Sequence, residues 1–154
     1  MRKMLLLSLV LLTSHGMAAP PRQDSVTPLL GPKLFHDGDV IEITDVTATS
    51  RNLEPGDSVT VKGRARLESH DSANLSLLLT QTQSGGNVET DSAQSVTVTK
   101  GPQEFKLKIT IKHRGVLHLT YYDPKTGKPF GGAYFGTADQ MGKISKLDLR
   151  YYLE

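Results

Sequence analysis

The run Phe105-Lys106-Leu107-Lys108-Ile109-Thr110-Ile111-Lys112-His113-Arg114-Gly115-Val116-Leu117-His118-Leu119-Thr120-Tyr121-Tyr122-Asp123 carries the reading that decides the fold. Apolar and polar residues alternate on both sides of His113-Arg114-Gly115, which is the period of half-buried β-strands. A two-residue turn would set Ile111 opposite His118 and leave the two apolar rows on opposite faces. A three-residue loop instead pairs Ile111 with Leu117, Ile109 with Leu119 and Leu107 with Tyr121. The expected hairpin is the second, with Gly115 at the left-handed position that closes such a loop. Its solvent face would carry Lys106, Lys108, Lys112, His118 and Tyr122.

The same period recurs through most of the chain. Val59, Val61, Gly63, Ala65 and Leu67 alternate with Thr60, Lys62, Arg64 and Arg66, and Leu75, Leu77, Leu79 and then Val96, Val98 follow suit. Leu147, Leu149, Tyr151 and Leu153 read as a closing strand. Between Ile43 and Val46 the alternation slips by one residue, so a bulge is expected near Thr44-Asp45. No segment shows a capped 3.6-residue pattern. About eight short strands at spacings of roughly 8 to 14 residues predict an all-β fold. The expected form is an antiparallel β-sandwich with jelly-roll topology, Ig-like topology being the alternative.

Residues 1–18 join Arg2 and Lys3 to an apolar run from Met4 to Leu12 and a Gly16-x-Ala18 end, the pattern of a secretory signal cut after Ala18. The expected organisation is therefore a signal peptide at 1–18, a flexible, loosely draped segment at 19–38, and one β-sandwich domain at 39–154. Secretion or a periplasmic location follows from the leader. Cysteine is absent, which removes disulfides, thiol catalysis and cysteine-bound zinc and leaves the apolar core to stabilise the domain. The chain has 18 basic and 16 acidic residues; taking away Arg2 and Lys3 leaves a neutral mature protein. That balance offers no electrostatic case for nucleic acid or an anionic membrane, and no apolar run is long enough for membrane insertion.

The catalytic signatures sought in the sequence do not occur. There is no Gly-x-Ser-x-Gly elbow, and Gly127-Lys128 is followed by Pro129 rather than completing a phosphate loop. His36, His70, His113 and His118 lack zinc-ligand spacing. Asp37-Gly38-Asp39 sets two carboxylates around a glycine and is the place for a structural calcium if one is held, but an acidic turn leading into the first strand is the preferred reading. No enzyme, no cofactor and no metal are the expectations.

The stretch Thr126 to Thr137, TGKPFGGAYFGT, packs four glycines and three aromatic rings together. Phe130, Tyr134 and Phe135, beside Tyr122, Asp123, Asp139 and Gln140, have the chemistry to stack on sugar rings and bond their hydroxyls. The plainer reading makes Tyr134 and Phe135 a short strand with one ring in the core and leaves Pro129 and the glycines to shape turns.

Leu53-Glu54-Pro55-Gly56-Asp57 leading into Val59–Leu67, then Val96-Thr97-Val98-Thr99 with Gln103-Glu104-Phe105, then Gly115-Val116-Leu117-His118-Leu119 resemble the galactose-binding-like jelly-roll modules that accompany glycan-active enzymes. The similarity runs over about residues 39–154 and implies a non-catalytic, carbohydrate-binding role, often with a structural calcium. Such modules usually hold sugar against tryptophan, and this chain has none, so no site residue is carried over. The Pro-Gly-Asp entry is also similar to bacterial Ig-like adhesion and stalk modules. The expected function is an exported binding module for a glycan first or an exported protein second, the latter as an Ig-like structural or interaction module. A second candidate surface is the hairpin face with Tyr122 flanked by Lys106, Lys108 and His118, for which a plain solvated face is the preferred reading.

Overall fold

The computed structural model describes residues 22–81, 88–89 and 95–144. Within them the chain runs β1 (Asp24–Ser25), β2 (Leu29–Leu34), β3 (Val40–Ala48), β4 (Ser58–Gln81), β5 (Val88–Glu89), β6 (Ser95–Thr110), β7 (Gly115–Tyr122), β8 (Pro129–Gly136) and a short helix α1 (Ala138–Ile144). Every pairing is antiparallel, in one sheet of order β1-β3-β4-β7-β8-β2, with β5 and β6 also bonded to β4. The sheet curls into a half-barrel. The expected antiparallel all-β class with about eight strands is what the chain adopts. Both expected segments 1–18 and 147–153 lie outside the described residues.

β4 organises everything else. Its first half, residues 58–67, lies between β3 and β6, and its second half bonds to β7 along Asn74–Gln81. The register of β4 with β6 shifts between Leu67 and Ser72, where the strand turns from one half to the other. Alternation along the first half is clear from Val61 onward, with Val61, Ala65 and Leu67 buried and Lys62, Arg64 and Arg66 exposed, while Val59 and Thr60 are both buried.

The derived hairpin does not form. β6 and β7 are not bonded to each other; each bonds to β4, β6 ending with Thr110 opposite Ser58 and β7 beginning with Gly115 opposite Gln81. Because β4 curls, its two ends lie close enough for residues 111–114 to cross between the halves. Ile111 N–H donates to Asp57 O and Gly56 N–H to Ile111 O, both at 2.8 Å, so the crossing is tied to the turn before β4. Phe105, Leu107, Ile109 and Ile111 still share a core with Leu117, Leu119 and Tyr121. They meet across the curl of the sheet rather than across a turn. Gly115 accordingly is not left-handed; a Cβ there would stand 2.3 Å from Thr80 O, so close strand approach is what demands glycine.

Three further differences have local causes. The described part of the 19–38 segment supplies two edge strands rather than a loose drape, because Leu29 and Leu30 pair with Gly136 and Phe135, and Val26 N–H donates to Val46 O at 2.8 Å. A helix appears where none was expected: α1 has seven residues, too few to show a period, yet it opens on a reciprocal cap. Thr137 N–H donates to Gln140 Oε1 at 2.9 Å and Gln140 N–H to Thr137 Oγ1 at 3.3 Å, the Thr-x-x-Gln capping box. His118, expected on a solvent face, is fully buried, because this side of β7 is covered as well and α1 brings Ile144 over Val116 and Tyr134.

The bulge expected at Thr44-Asp45 is present as a register shift between Ile43 and Asp45. It brings Glu42 O within 2.1 Å of the position a Cβ on Gly63 would take, while the Phe105 ring, opposite in register, lies 2.6 Å from that point. Gly63 is thus roofed by a cross-strand aromatic ring. Gly63→Ala is expected to lower stability by about 2 kcal/mol or more, read as the change in urea midpoint with an unchanged slope.

Candidate functional site

The glycine-aromatic stretch is a turn followed by β8. Asp123 N–H donates to Lys128 O at 2.9 Å, Gly127 N–H to Asp123 O at 2.8 Å and Lys125 N–H to Asp123 Oδ1 at 2.7 Å, so Asp123 builds the turn. The Lys125 N–H bond, opposed by slight desolvation and aided by Thr126 and the charge of His70, holds the Asp123 carboxyl below the usual range. Tyr134 and Phe135 are fully buried on opposite faces of β8: Phe135 joins the main core, Tyr134 the smaller cluster beneath α1. A Cβ on Gly136 would meet Gln140 Oε1 at 2.5 Å, so that glycine admits the helix.

The remaining expected residues also have structural tasks. Gln140 is buried, and besides the cap its Nε2 donates to Leu53 O at 3.0 Å, fixing α1 to the turn before β4. Asp139 is exposed and bridges Lys143 at 2.5 Å within the helix. Phe130 is half-buried and stacks with two rings, His70 at 4.0 Å and Tyr121 at 5.7 Å. Tyr122 is half-buried at the end of β7. Structure therefore brings Tyr122, Asp123 and Phe130 to one rim and takes Tyr134, Phe135, Asp139 and Gln140 elsewhere.

Asp37 and Asp39 part company. Asp37 is exposed in a turn with φ 47°, whereas Asp39 is buried and accepts Glu68 N–H at 2.6 Å, Ser69 N–H at 3.0 Å and Ser69 Oγ–H at 2.5 Å. A cation there would have to displace all three donors. No group of three or more metal-ligating side chains occurs among the described residues. Ser69 Oγ also lies 2.7 Å from His70 Nδ1. This chain of Asp39, Ser69 and His70 places serine between the carboxylate and the imidazole, with its O–H committed to Asp39, which is not the order that makes serine a nucleophile. Burial, reinforced by the Asp39 charge, pushes the Tyr121 phenol up, and its O–H donates to Val40 O at 3.0 Å.

The surface that sequence reasoning placed wrongly is the exposed face of β3, β4 and β6. In register, Thr60 faces Lys108, Lys62 faces Lys106, Arg64 faces Glu104 and Arg66 faces Pro102. Asp45 takes Lys62 at 3.2 Å, and Arg66 Nε donates to Gly38 O at 3.2 Å. Lys106 and Lys108 are exposed and have no carboxylate within ion-pair distance among the described residues. Glu42 and Glu104 flank Arg64, so the uncompensated charge gathers at the Lys62, Lys106 and Lys108 corner. A shallow groove of about 470 Å³ runs there between Lys62, Arg64, Glu104 and Lys106. The expected grouping of these lysines with His118 and Tyr122 fails because the Lys106–Lys108 stretch of β6 pairs with the first half of β4, whereas β7 pairs with the second. Two other grooves, of about 520 and 300 Å³, flank residues 25–30 where the chain crosses from β1 to β2.

No protein-family model matches the chain, and neither a curated protein nor a solved structure was found that does. The fold itself defines the class, an antiparallel all-β protein, and no helix among the described residues is long and apolar enough to cross a membrane.

His118 shows how closely the far side is packed. Its Nδ1 lies 2.7 Å from Thr120 Oγ1, its ring stacks on Tyr134 at 4.7 Å, and Thr80 Oγ1 lies 3.2 Å from the Tyr134 hydroxyl. Burial pushes His118 from its ordinary 6.5 down to about 3. Between those values the unfolded chain binds a proton that the folded one refuses, so stability is full above pH 6.5 and falls on acidification. The slope from this group reaches roughly 1.4 kcal/mol per pH unit. His118→Gln is expected to be less stable at neutral pH and to lose that part of the slope, read from urea unfolding at a series of pH values.

Proposed function

We propose that the protein is an exported, non-catalytic interaction module that engages an acidic exported protein through the exposed face of β4 and β6. The observation that carries this reading is the cross-strand pairing of Lys62 with Lys106, with Lys108 beside them. Like charges set directly opposite on a sheet are unfavourable, and Asp45 satisfies only one of the three lysines. Export is supported by the leader-like residues 1–18. Burial of Tyr134 and Phe135 and the double stacking of Phe130 weigh against a sugar-stacking platform and toward a charged, fairly flat docking face.

The test is binding of residues 19–154 to acidic polypeptides and to a glycan array at low and moderate salt. Acidic polypeptides are expected to bind, more weakly as salt rises. The Lys106→Glu, Lys108→Glu double variant should lose at least about tenfold in affinity, equivalent to about 1.4 kcal/mol. Glycan binding that survives in that variant and disappears in Tyr122→Ala would replace this reading with a carbohydrate-binding one.

A further inference from the structure

Among the described residues β6 is hydrogen-bonded along one edge only, to β4. Free edges are ordinarily blunted, because their unpaired N–H and C=O groups invite another strand. The other edges here follow that rule. β1 has two residues; β2 contains Pro32 within a register shift between Leu30 and Lys33; β3 is bulged between Ile43 and Asp45. The early part of β6 is likewise interrupted, at Gly101 and Pro102 beside the irregularity of β4.

From Gln103 to Ile109 no proline, glycine or bulge interrupts the edge, and Lys106 and Lys108, which turn away a cationic or like neighbour, are its only guard. The register with β4 is unbroken from Ala65 opposite Gln103 to Val59 opposite Ile109, without proline or glycine on the β6 side. Lys106 and Lys108 point outward, and Phe105, Leu107 and Ile109 line the margin of the core. We infer that this edge of β6 accepts an extended strand of an exported partner in which acidic and apolar residues alternate.

Backbone groups would pair along the edge, as in other strand additions. The partner's side chains share the two-residue period of β6, so carboxylates at every second position fall beside Lys106 and Lys108 on the outer face. Its apolar residues then continue the row of Phe105, Leu107 and Ile109. Charge chooses among possible occupants. A second copy pairing antiparallel through β6, centred on Leu107, would set Lys106 against Lys108 twice, which repels; centred on Phe105 it would pair Lys106 with Glu104, but would lay Lys108 and Ile109 against the interruption at Pro102 and Gly101. An acidic strand turns the same two lysines into attractive pairs.

This inference rests on the reading of the protein as a binder of acidic partners, and the experiment separates the two. Four synthetic probes are compared by fluorescence anisotropy on residues 19–154: an alternating Glu/Val peptide, a peptide of the same composition with Glu and Val in blocks, and two forms of the alternating peptide N-methylated on one or the other set of alternate residues. The alternating peptide is expected to bind and to slow amide exchange over 103–109. It should bind at least about tenfold more tightly than the block peptide, and one N-methylated form should lose binding because its bonding edge is blocked. Lys106→Glu, Lys108→Glu should prefer an alternating Lys/Val peptide, and Lys106→Thr, Lys108→Thr should bind both weakly, with thermal melts confirming that each variant folds. Equal binding of all four acidic probes would overturn strand addition and leave the electrostatic module standing. Absence of binding to any acidic polypeptide by the folded protein would overturn both.

Discussion

Everything in this molecule hangs on the hydrogen bonding of one strand. β4 is 24 residues long and pairs with β3, β5, β6 and β7, so each half of the sheet is built on one of its ends. A straight strand of that length would extend roughly 80 Å at about 3.3 Å per residue, far beyond the size of so small a domain. It therefore has to curl, and the register irregularity between Leu67 and Ser72 is where it does so. Curling brings the apolar residues of both halves onto one inner face, which is why Val59 and Val61 share a core with Leu75, Leu77 and Leu79.

Two carboxylates hold that curl in place from outside the strand's own ladder. Asp39 accepts the N–H groups of Glu68 and Ser69 within the irregularity itself. Asp57 works at the entry: it accepts Thr49 Oγ1–H at 3.0 Å, Ser50 Oγ–H at 2.6 Å and Glu54 N–H at 2.9 Å. Burial pushes the Asp57 carboxyl up, but those three bonds outweigh it and hold it below the usual range. The Pro-Gly-Asp entry that suggested a family thus has a local mechanical explanation. Leu53, buried with φ 54°, is kept in that uncommon conformation by the same turn and by Gln140 on its carbonyl. Helix, turn and first half of the sheet are in this way one hydrogen-bonded assembly.

Alternation in the sequence told which side of a strand each residue occupies far better than it told which strand lies beside it. Phe105, Leu107 and Ile109 face the core as read, and Tyr134 and Phe135 form a strand as the plainer reading had it though both rings rather than one are buried, yet the partner of β6 proved to be the distant β4, with Val59 opposite Ile109. A period of two carries no information about pairing, and a local turn looked cheaper than a long closure. His118 misled for a related reason: a polar residue at an alternate position marks one face of a strand, not its contact with water, and this face is covered. The cap of α1 was legible as Thr137-x-x-Gln140 but was passed over because seven residues show no helical period. The lysine corner could not be assembled at all without knowing that Lys62 and Lys106 stand in register.

The dominance of β4 also shapes how the chain reaches its native state. Its partners β5, β6 and β7 all follow it in sequence; β6 can extend along β4 from Ser76 opposite Ser95, but β7 joins only when Gly115 reaches Gln81 and β2 only when β8 is in place, so these parts of the sheet wait on long loops. Topologies of this kind fold slowly, because the entropy of closure comes due before the contacts that offset it. A chain delivered from its N-terminus would present the leucine row Leu75, Leu77, Leu79 with nothing yet available to cover it, a period in which association with other chains competes with folding.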